Sequence, residues 1–214
     1  MKIKSEILRV YGVTDASWTG RFTLLEQVEQ ALKGGVTCIQ FRDKQLENDA
    51  FLREAKKMKV LCEKYHVPLI INDHVDIAVR CGADGVHVGQ KDMEAKEVRK
   101  LVGEKMIIGV SARTVEQAIQ AEQAGADYLG VGAVFGTSTK MDAEKISLER
   151  LKEICQAVTI PVVPIGGVQK DNFPELAGTG VAGAALVSAI FSAQDIEEEC
   201  RNLRNISEQI VCKS

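Results

Sequence analysis

The stretches GADGVHVG (residues 82–89) and GADYLGVG (residues 125–132) decide the fold, because they repeat one junction of the chain. In both, a helical pattern ends on a glycine and the apolar residues of a buried strand follow. The stretch GTGVAGAALV (residues 178–187) echoes the same junction nearer the C-terminus. A helix-to-strand junction that recurs along a chain is typical of parallel β/α units.

Outward from these junctions, strand and helix patterns alternate along the chain. The predicted strands are ILRVYGV, VTCIQF, PLIIN, DGVHVG, MIIGVS, DYLGVGAV, IPVVPIGG and VAGAALVS. The predicted helices lie at 22–35, 49–66, 74–82, 94–103, 114–125, 147–158, 171–180 and 195–211, with N-caps at Thr114 and Ser147. Eight units favour an α/β fold with one (β/α)8 TIM barrel domain over residues 1–214. An open doubly wound sheet is the alternative, weakened because no GxGxxG follows the first strand.

Composition restricts the partners and the compartment. The net charge of −3 argues against a general surface for nucleic acid or for an anionic membrane. No signal-peptide core begins the chain, and no apolar run reaches the roughly 18 residues of a membrane-spanning helix. The six cysteines form no CxxC pair, which favours reduced thiols in a cytoplasmic protein. The oligomeric state stays open, and a homo-oligomer is one alternative.

Polar residues gather where the predicted strands end, which in a barrel is one common mouth. In strand order they are Thr14 and Asp15; Gln40, Arg42 and Lys44; Asn72 and Asp73; His87, Gln90 and Asp92; Ser111; Gly136 to Lys140; Gly166 and Gly167; and Val187 and Ser188. Taken singly, each has a local explanation: Asp73 as a helix N-cap, the two glycines as a turn, and His87 as a structural histidine. Their shared position at successive strand ends favours a binding site.

The residue types indicate phosphate and metal chemistry. Arg42, Lys44 and Lys140 suit phosphate oxygens. Asp73 and Asp92, on neighbouring units, suit a hard ion such as Mg²⁺ that completes its shell with waters and substrate phosphates. Cations beside such a metal indicate a diphosphate. The loops after strands 7 and 8 predict a second, monophosphate site, because glycines and a helix starting after Ser188 would offer backbone N–H groups.

These motifs resemble the thiamine-phosphate synthase family, also called thiamine-phosphate pyrophosphorylase. The matching stretches, in family order, are QFRDK (40–44), IND (71–73), GADGVHVGQKD (82–92), GVSART (109–114), GAVFGTSTK (132–140), PIGGV (164–168) and VSAIF (187–191). The resemblance implies a (β/α)8 transferase of thiamine biosynthesis with Mg²⁺ as its cofactor. It implies condensation of 4-amino-2-methyl-5-(diphosphooxymethyl)pyrimidine with a 4-methyl-5-(2-phosphoethyl)thiazole, in its carboxylate form. The products of this reaction would be thiamine monophosphate, pyrophosphate and CO2.

The resemblance also assigns roles to residues. Arg42, Ser111 and Lys140 are expected to be catalytic, and Asp73 and Asp92 to bind Mg²⁺. The expected substrate-binding residues are Gln40, Phe41, Arg42, Asp43, Lys44, Asn72, Ser111, Thr137, Ser138, Thr139, Lys140, Gly167, Val187 and Ser188. Gln40 to Lys44, Asn72, Ser111 and Lys140 would contact the pyrimidine substrate. The others would contact the thiazole substrate, with Gly167, Val187 and Ser188 at its phosphate. The loop around residues 136–145 is a candidate lid over the substrates.

Three alternatives keep a barrel but change its function. A thiazole tautomerase would share the thiazole phosphate site without diphosphate chemistry, which the complete set of QFRDK, Asp73, Asp92 and TSTK argues against. A ligand-binding or regulatory barrel would not need both Asp73 and Asp92. An epimerase would want an acid/base pair at opposing strand ends, whereas these two carboxylates lie on adjacent strands.

Overall fold

Eight parallel strands close into a barrel in a computed structural model that describes residues 3–136 and 145–211. The strands are β1 Val10–Val13, β2 Cys38–Phe41, β3 Leu69–Asn72, β4 Gly85–Val88, β5 Ile107–Ala112, β6 Tyr128–Gly132, β7 Val162–Ile165 and β8 Ala184–Leu186. Each strand pairs with its neighbour in sequence, and β8 returns to β1 with Ala185 opposite Tyr11. The predicted (β/α)8 barrel is confirmed, and the closure rules out an open sheet.

The helices surround this barrel. They are α1 Leu24–Lys33, α2 Asn48–Lys64, α3 Val75–Cys81, α4 Ala95–Val102, α5 Val115–Gln123, α6 Leu148–Ala157, α7 Ser188–Phe191 and α8 Ile196–Val211. The predicted N-caps are confirmed: the hydroxyl of Thr114 accepts from Gln117 N, and that of Ser147 accepts from Arg150 N. Over the part of the chain that the structure describes, no helix is long and apolar enough to cross a membrane.

Two predicted elements are wrong in detail. The first strand was predicted from Ile7, but Ser5–Leu8 forms a 3₁₀ turn whose Leu8 is buried in the barrel interior, and β1 begins at Val10. The helix predicted over residues 171–180 is a 3₁₀ turn, Phe173–Leu176. A proline in its first turn and glycines at 178 and 180, both with positive φ, leave no length for an α-helix.

The core has two layers because side chains alternate across each strand. The inner cluster fills the barrel and includes Tyr11, Ile70 and Tyr128. The larger outer cluster lies between the strands and the helices. The five cysteines in the described residues are free, and four of them are buried.

The repeated GAD stretches have the same role in both places. The carboxylate of Asp84, just before β4, accepts from Leu69 N at the start of β3, at 2.8 Å. The carboxylate of Asp127, just before β6, accepts from Ile108 N of β5, also at 2.8 Å. Each carboxylate also pairs with a basic side chain of α2 or α4. The repeat therefore ties neighbouring strands together at the end of the barrel opposite the mouth.

Candidate active site

The end of β2 divides its side chains between the barrel interior and the outer layer. Gln40 is buried inside the barrel, where its Nε2 donates to the hydroxyl of Tyr11 at 2.8 Å. Phe41, predicted to bind substrate, is fully buried on the other side, with its ring 4.4 Å from that of Phe51 in α2. The alternation of the strand directs the Phe41 side chain away from the mouth, so only its main chain can line the site.

Arg42 is held by the end of β1. Thr14, which is fully buried, accepts from Arg42 N through its hydroxyl and donates that hydroxyl to Arg42 O, both at 2.9 Å. The guanidinium donates to Asp15 Oδ2 at 3.0 Å, with both side chains less than one-fifth exposed. Although burial acts against it, hydrogen bonds from Ser17 and the charge of Arg42 lower the pKa of Asp15. Sequence reasoning placed Asp15 at the mouth but missed this positioning role.

The other two residues of the QFRDK motif lie at the rim. Lys44 is exposed just beyond the end of β2. Asp43 closes a turn, since its Oδ1 accepts from Gln45 N at 2.8 Å and from Leu46 N at 3.2 Å. Asp43 therefore shapes the loop that carries Lys44.

Two carboxyl groups meet beyond β3 and β4. Asp73 has a left-handed backbone (φ 62°) and its carboxyl lies within hydrogen-bonding reach of that of Asp92. Partial burial and the neighbouring Asp92 carboxylate raise the pKa of Asp73 to about 6, despite a hydrogen bond of 2.6 Å from Asn72 Nδ2. Asp92 is held in turn by Gly89 N, which donates to it at 2.8 Å. His74, not Asp73, occupies the N-cap of α3.

This pair fits a hard divalent cation. Burial and the repulsion between the two carboxylates both raise the Asp73 pKa, and a cation between the carboxylates would relieve that repulsion. Within residues 3–136 and 145–211, no group of three or more His, Cys, Asp or Glu side chains could hold a metal. Two oxygen ligands leave most of the coordination shell to water and substrate, as Mg²⁺ prefers.

Ser111, on β5, belongs to a chain of hydrogen bonds that crosses the barrel. Its hydroxyl lies 3.0 Å from Nε2 of His87, whose Nδ1 lies 3.0 Å from the hydroxyl of Tyr128. That hydroxyl is 2.6 Å from the hydroxyl of Tyr11, which accepts from Gln40. The sequence predicted a structural role for His87 but gave no sign of the two tyrosines.

Two glycines create the space for this chain. A Cβ on Gly109 of β5 would lie 2.1 Å from Tyr128 Cζ and 2.5 Å from His87 Nδ1. A Cβ on Gly130 of β6 would lie 2.9 Å from the same imidazole. Burial lowers the pKa of His87 to about 4, so the ring is neutral at physiological pH.

The loops after β7 and β8 contain the predicted monophosphate residues. Gly167 has φ +70° and packs so closely on Gly136 that a Cβ would lie 2.2 Å from the Gly136 carbonyl oxygen. Ser188 begins α7, directly after Val187, and its hydroxyl accepts from Gln169 Nε2 at 2.8 Å. That bond links the two loops, although α7 has only four residues. A cleft of about 820 Å³ adjoins Gly167. The predicted residues Thr137, Ser138, Thr139 and Lys140 lie outside the described residues.

Comparison with known proteins identifies the family to which this chain belongs. The profile of the family described as "Thiamine monophosphate synthase" matches residues 10–190. The chain belongs to the thiamine monophosphate synthase family. The thiamine-phosphate synthase of Ruminiclostridium cellulolyticum is 50% identical over 95% of this chain and 98% of its own length. That of Clostridium tetani is 47% identical over 91% of this chain and 93% of its own.

A solved structure agrees with the family. Thiamine phosphate pyrophosphorylase from Pyrococcus furiosus superposes with a TM-score of 0.89 at 38% identity, covering 97% of this chain and 98% of its own. The family predicted from the motifs is confirmed, and with it the prediction of a transferase of thiamine biosynthesis that acts on small-molecule substrates.

Proposed function

We propose that the chain joins 4-amino-2-methyl-5-(diphosphooxymethyl)pyrimidine to 4-methyl-5-(2-phosphoethyl)thiazole, forming thiamine monophosphate and releasing pyrophosphate. When the thiazole carries a carboxylate, CO2 is released as well. The observation that carries the proposal is the carboxyl pair of Asp73 and Asp92, at the same end of the barrel as the guanidinium of Arg42. A cation site at the same barrel mouth as a fixed guanidinium suits a diphosphate better than a single phosphate.

The pyrimidine diphosphate would bind across the ends of β2 to β5. Arg42 and Lys44 would contact phosphate oxygens, with Asp15 fixing the direction of the guanidinium. Gln40, Asn72 and Ser111 would contact the same substrate, as the family motifs suggest. Lys140 would add a further positive charge from the loop after β6. Asp73 and Asp92 would hold Mg²⁺, which when bound supplies positive charge to the diphosphate.

The thiazole substrate would bind on the other side of the mouth. Gly167, Val187 and Ser188 would surround its phosphate, and the link between Gln169 and Ser188 would hold these loops at a fixed separation. Thr137, Ser138 and Thr139 would contact the rest of that substrate. The two substrates would then lie over neighbouring sectors of one barrel mouth.

The reaction needs the C–O bond to the diphosphate to break. The aminopyrimidine can delocalise positive charge from its methylene carbon, so a dissociative substitution is favoured. Arg42, Lys44 and Lys140 would stabilise the charge that develops on the leaving pyrophosphate. The thiazole nitrogen then attacks the methylene carbon, and the contribution of the protein is to hold both groups in position. No protein nucleophile is required.

The test is a product assay with purified protein, both precursors, and Mg²⁺ either added or chelated. We expect thiamine monophosphate and pyrophosphate in equal amounts, only when both precursors and Mg²⁺ are present. Lys140→Ala should lower the rate by about 10² to 10³. Lys152→Ala, a charge change on α6, is the matched control and should leave the rate unchanged. A complete reaction mixture that forms no product would refute the proposal.

A further inference from the structure

The hydrogen bonds that link Gln40, Tyr11, Tyr128, His87 and Ser111 all run in one donor-to-acceptor direction, from Gln40 to Ser111. Nε2 of Gln40 donates to Tyr11, so the single hydrogen of the Tyr11 hydroxyl is free to donate onward. The hydroxyl of Tyr128 lies 2.6 Å away and accepts that hydrogen. Tyr128 must then donate its own hydrogen to His87 Nδ1 at 3.0 Å. A buried hydroxyl hydrogen without an acceptor would be costly, which excludes a chain with mixed directions.

The direction decides which nitrogen of His87 carries the hydrogen. Because Nδ1 accepts from Tyr128, the neutral ring must carry its hydrogen on Nε2. That Nε2–H donates to the hydroxyl oxygen of Ser111 at 3.0 Å. The hydroxyl hydrogen of Ser111 is then free to point into the mouth. Burial favours this neutral ring, since it lowers the pKa of His87.

We propose that Tyr11, Tyr128 and His87 are positioning residues whose directed hydrogen bonds make Ser111 a donor to an acceptor atom of the bound pyrimidine diphosphate. This proposal rests on the proposed function for the identity of the substrate. It gives the Ser–His pair the opposite polarity to that of a serine nucleophile, whose hydroxyl donates to the imidazole. His87 therefore does not act as a base toward Ser111.

The chemistry of the mouth supports this polarity. The barrel mouth at which Ser111 lies also contains the cation Arg42, after the end of β2, which suits an anionic ligand. An outward hydrogen from Ser111 can bind an anionic oxygen or a ring nitrogen, whereas a serine that donates inward would offer only lone pairs. Hydrogen bonds in a chain also strengthen one another, so the bond from His87 makes the Ser111 hydroxyl a better donor. The opposite polarity would require the Gln40 amide to present its oxygen to Tyr11.

The first test reads the tautomer of His87 directly, without any substrate. Protein labelled with ¹⁵N-histidine contains only three imidazoles, and a His87→Gln sample assigns the signal of interest. Two-bond ¹H–¹⁵N spectra at neutral pH should show a neutral ring with its hydrogen on Nε2. A hydrogen on Nδ1, or a charged ring, would overturn the proposal. This result does not depend on activity, so it separates the proposal from the proposed function.

The second test asks whether the hydrogen-bond chain of Tyr11, Tyr128 and His87 affects catalysis through Ser111. Tyr128→Phe keeps the ring and removes the hydroxyl, and it should lower kcat by about 10-fold to 100-fold because Ser111 is no longer fixed as a donor. In a Ser111→Ala background the same change should have less than about a twofold effect. Equal losses in both backgrounds would mean that Tyr128 serves the fold alone, and would overturn the proposal.

Two further variants keep this test decisive. Tyr11→Phe breaks the chain one step earlier and should give the same dependence on Ser111, even if Tyr128→Phe does not fold. Tyr65→Phe is the matched control, because its hydroxyl lies outside the barrel interior and donates to Glu29 Oε1 at 2.9 Å. We expect Tyr65→Phe to keep both the wild-type kcat and the Nε2 tautomer of His87.

Discussion

Acid should destabilise this barrel through His87. The imidazole is buried beside the hydroxyls of Tyr128 and Ser111, and burial lowers its pKa from the ordinary value of 6.5 to about 4. The charge of Asp92 acts in the opposite direction but is the smaller effect. Between these two pKa values the unfolded chain binds a proton that the folded protein does not. Stability must therefore fall as the pH drops from 6.5 toward 4.

The magnitude follows from the shift. One pKa unit corresponds to about 1.4 kcal/mol, so lowering the pH from about 7.5 to about 4.5 should remove between about 2 and 3 kcal/mol of unfolding free energy through His87. His87→Gln has no group to protonate there. The loss of stability over this pH range should accordingly be smaller in the variant by that amount, whatever the substitution costs at neutral pH.

Urea denaturation followed by circular dichroism at both pH values gives the four free energies required. Subtracting the loss of unfolding free energy of the variant from that of the wild type removes the contribution of carboxylates that titrate equally in both proteins. His66→Asn is the matched control: this histidine is exposed with φ 56°, a conformation that asparagine tolerates, and its variant should lose as much stability as the wild type. If the His87→Gln protein also loses as much stability as the wild type, burial does not hold His87 neutral and the argument fails.

Three further outcomes are expected. Asp15→Asn should raise the KM for the pyrimidine diphosphate about tenfold, because Arg42 loses its fixed partner; an unchanged KM in steady-state assays would show that the pair is dispensable. Mg²⁺ affinity, measured by calorimetry, should weaken as the pH falls below about 6, where Asp73 takes up a proton, and this pH dependence should be absent in Asp73→Asn. Gly109→Ala should cost about 1–3 kcal/mol of stability in thermal or urea unfolding, whereas Gly20→Ala, with open space around its Cβ position, should cost much less.

The barrel could be predicted from the sequence because its units repeat. Glycine-ended helices followed by apolar runs recur along the chain, and eight such units close more readily than they form an open sheet. The errors fall where local sequence is ambiguous. Ile7 and Leu8 are apolar enough for a strand, yet they form a 3₁₀ turn with Leu8 in the barrel interior. No periodicity distinguishes those two outcomes.

The site was predictable to the extent that strand ends define it. Polar residues after successive parallel strands must share one rim, so Arg42, Asp73 and Asp92 could be placed there from the sequence alone. Tyr11 and Tyr128 could not, because aromatic residues within strands look like ordinary core. Their hydroxyls meet across 117 residues of sequence, and only the closed barrel brings them together.

Gly109 and Gly130, which lie against the buried imidazole of His87, should make several positions of the barrel change together during evolution. Because Gly109 and Gly130 leave space that the rings of Tyr128 and His87 fill, a larger residue at 109 or a much smaller one at 128 should lower the stability when it occurs alone. Lineages that change one of these positions should change the others together with it. Residues 87, 109, 128 and 130 should therefore covary among relatives. Relatives with a polar barrel centre should keep all four residues, and relatives with an aliphatic centre should have changed them together.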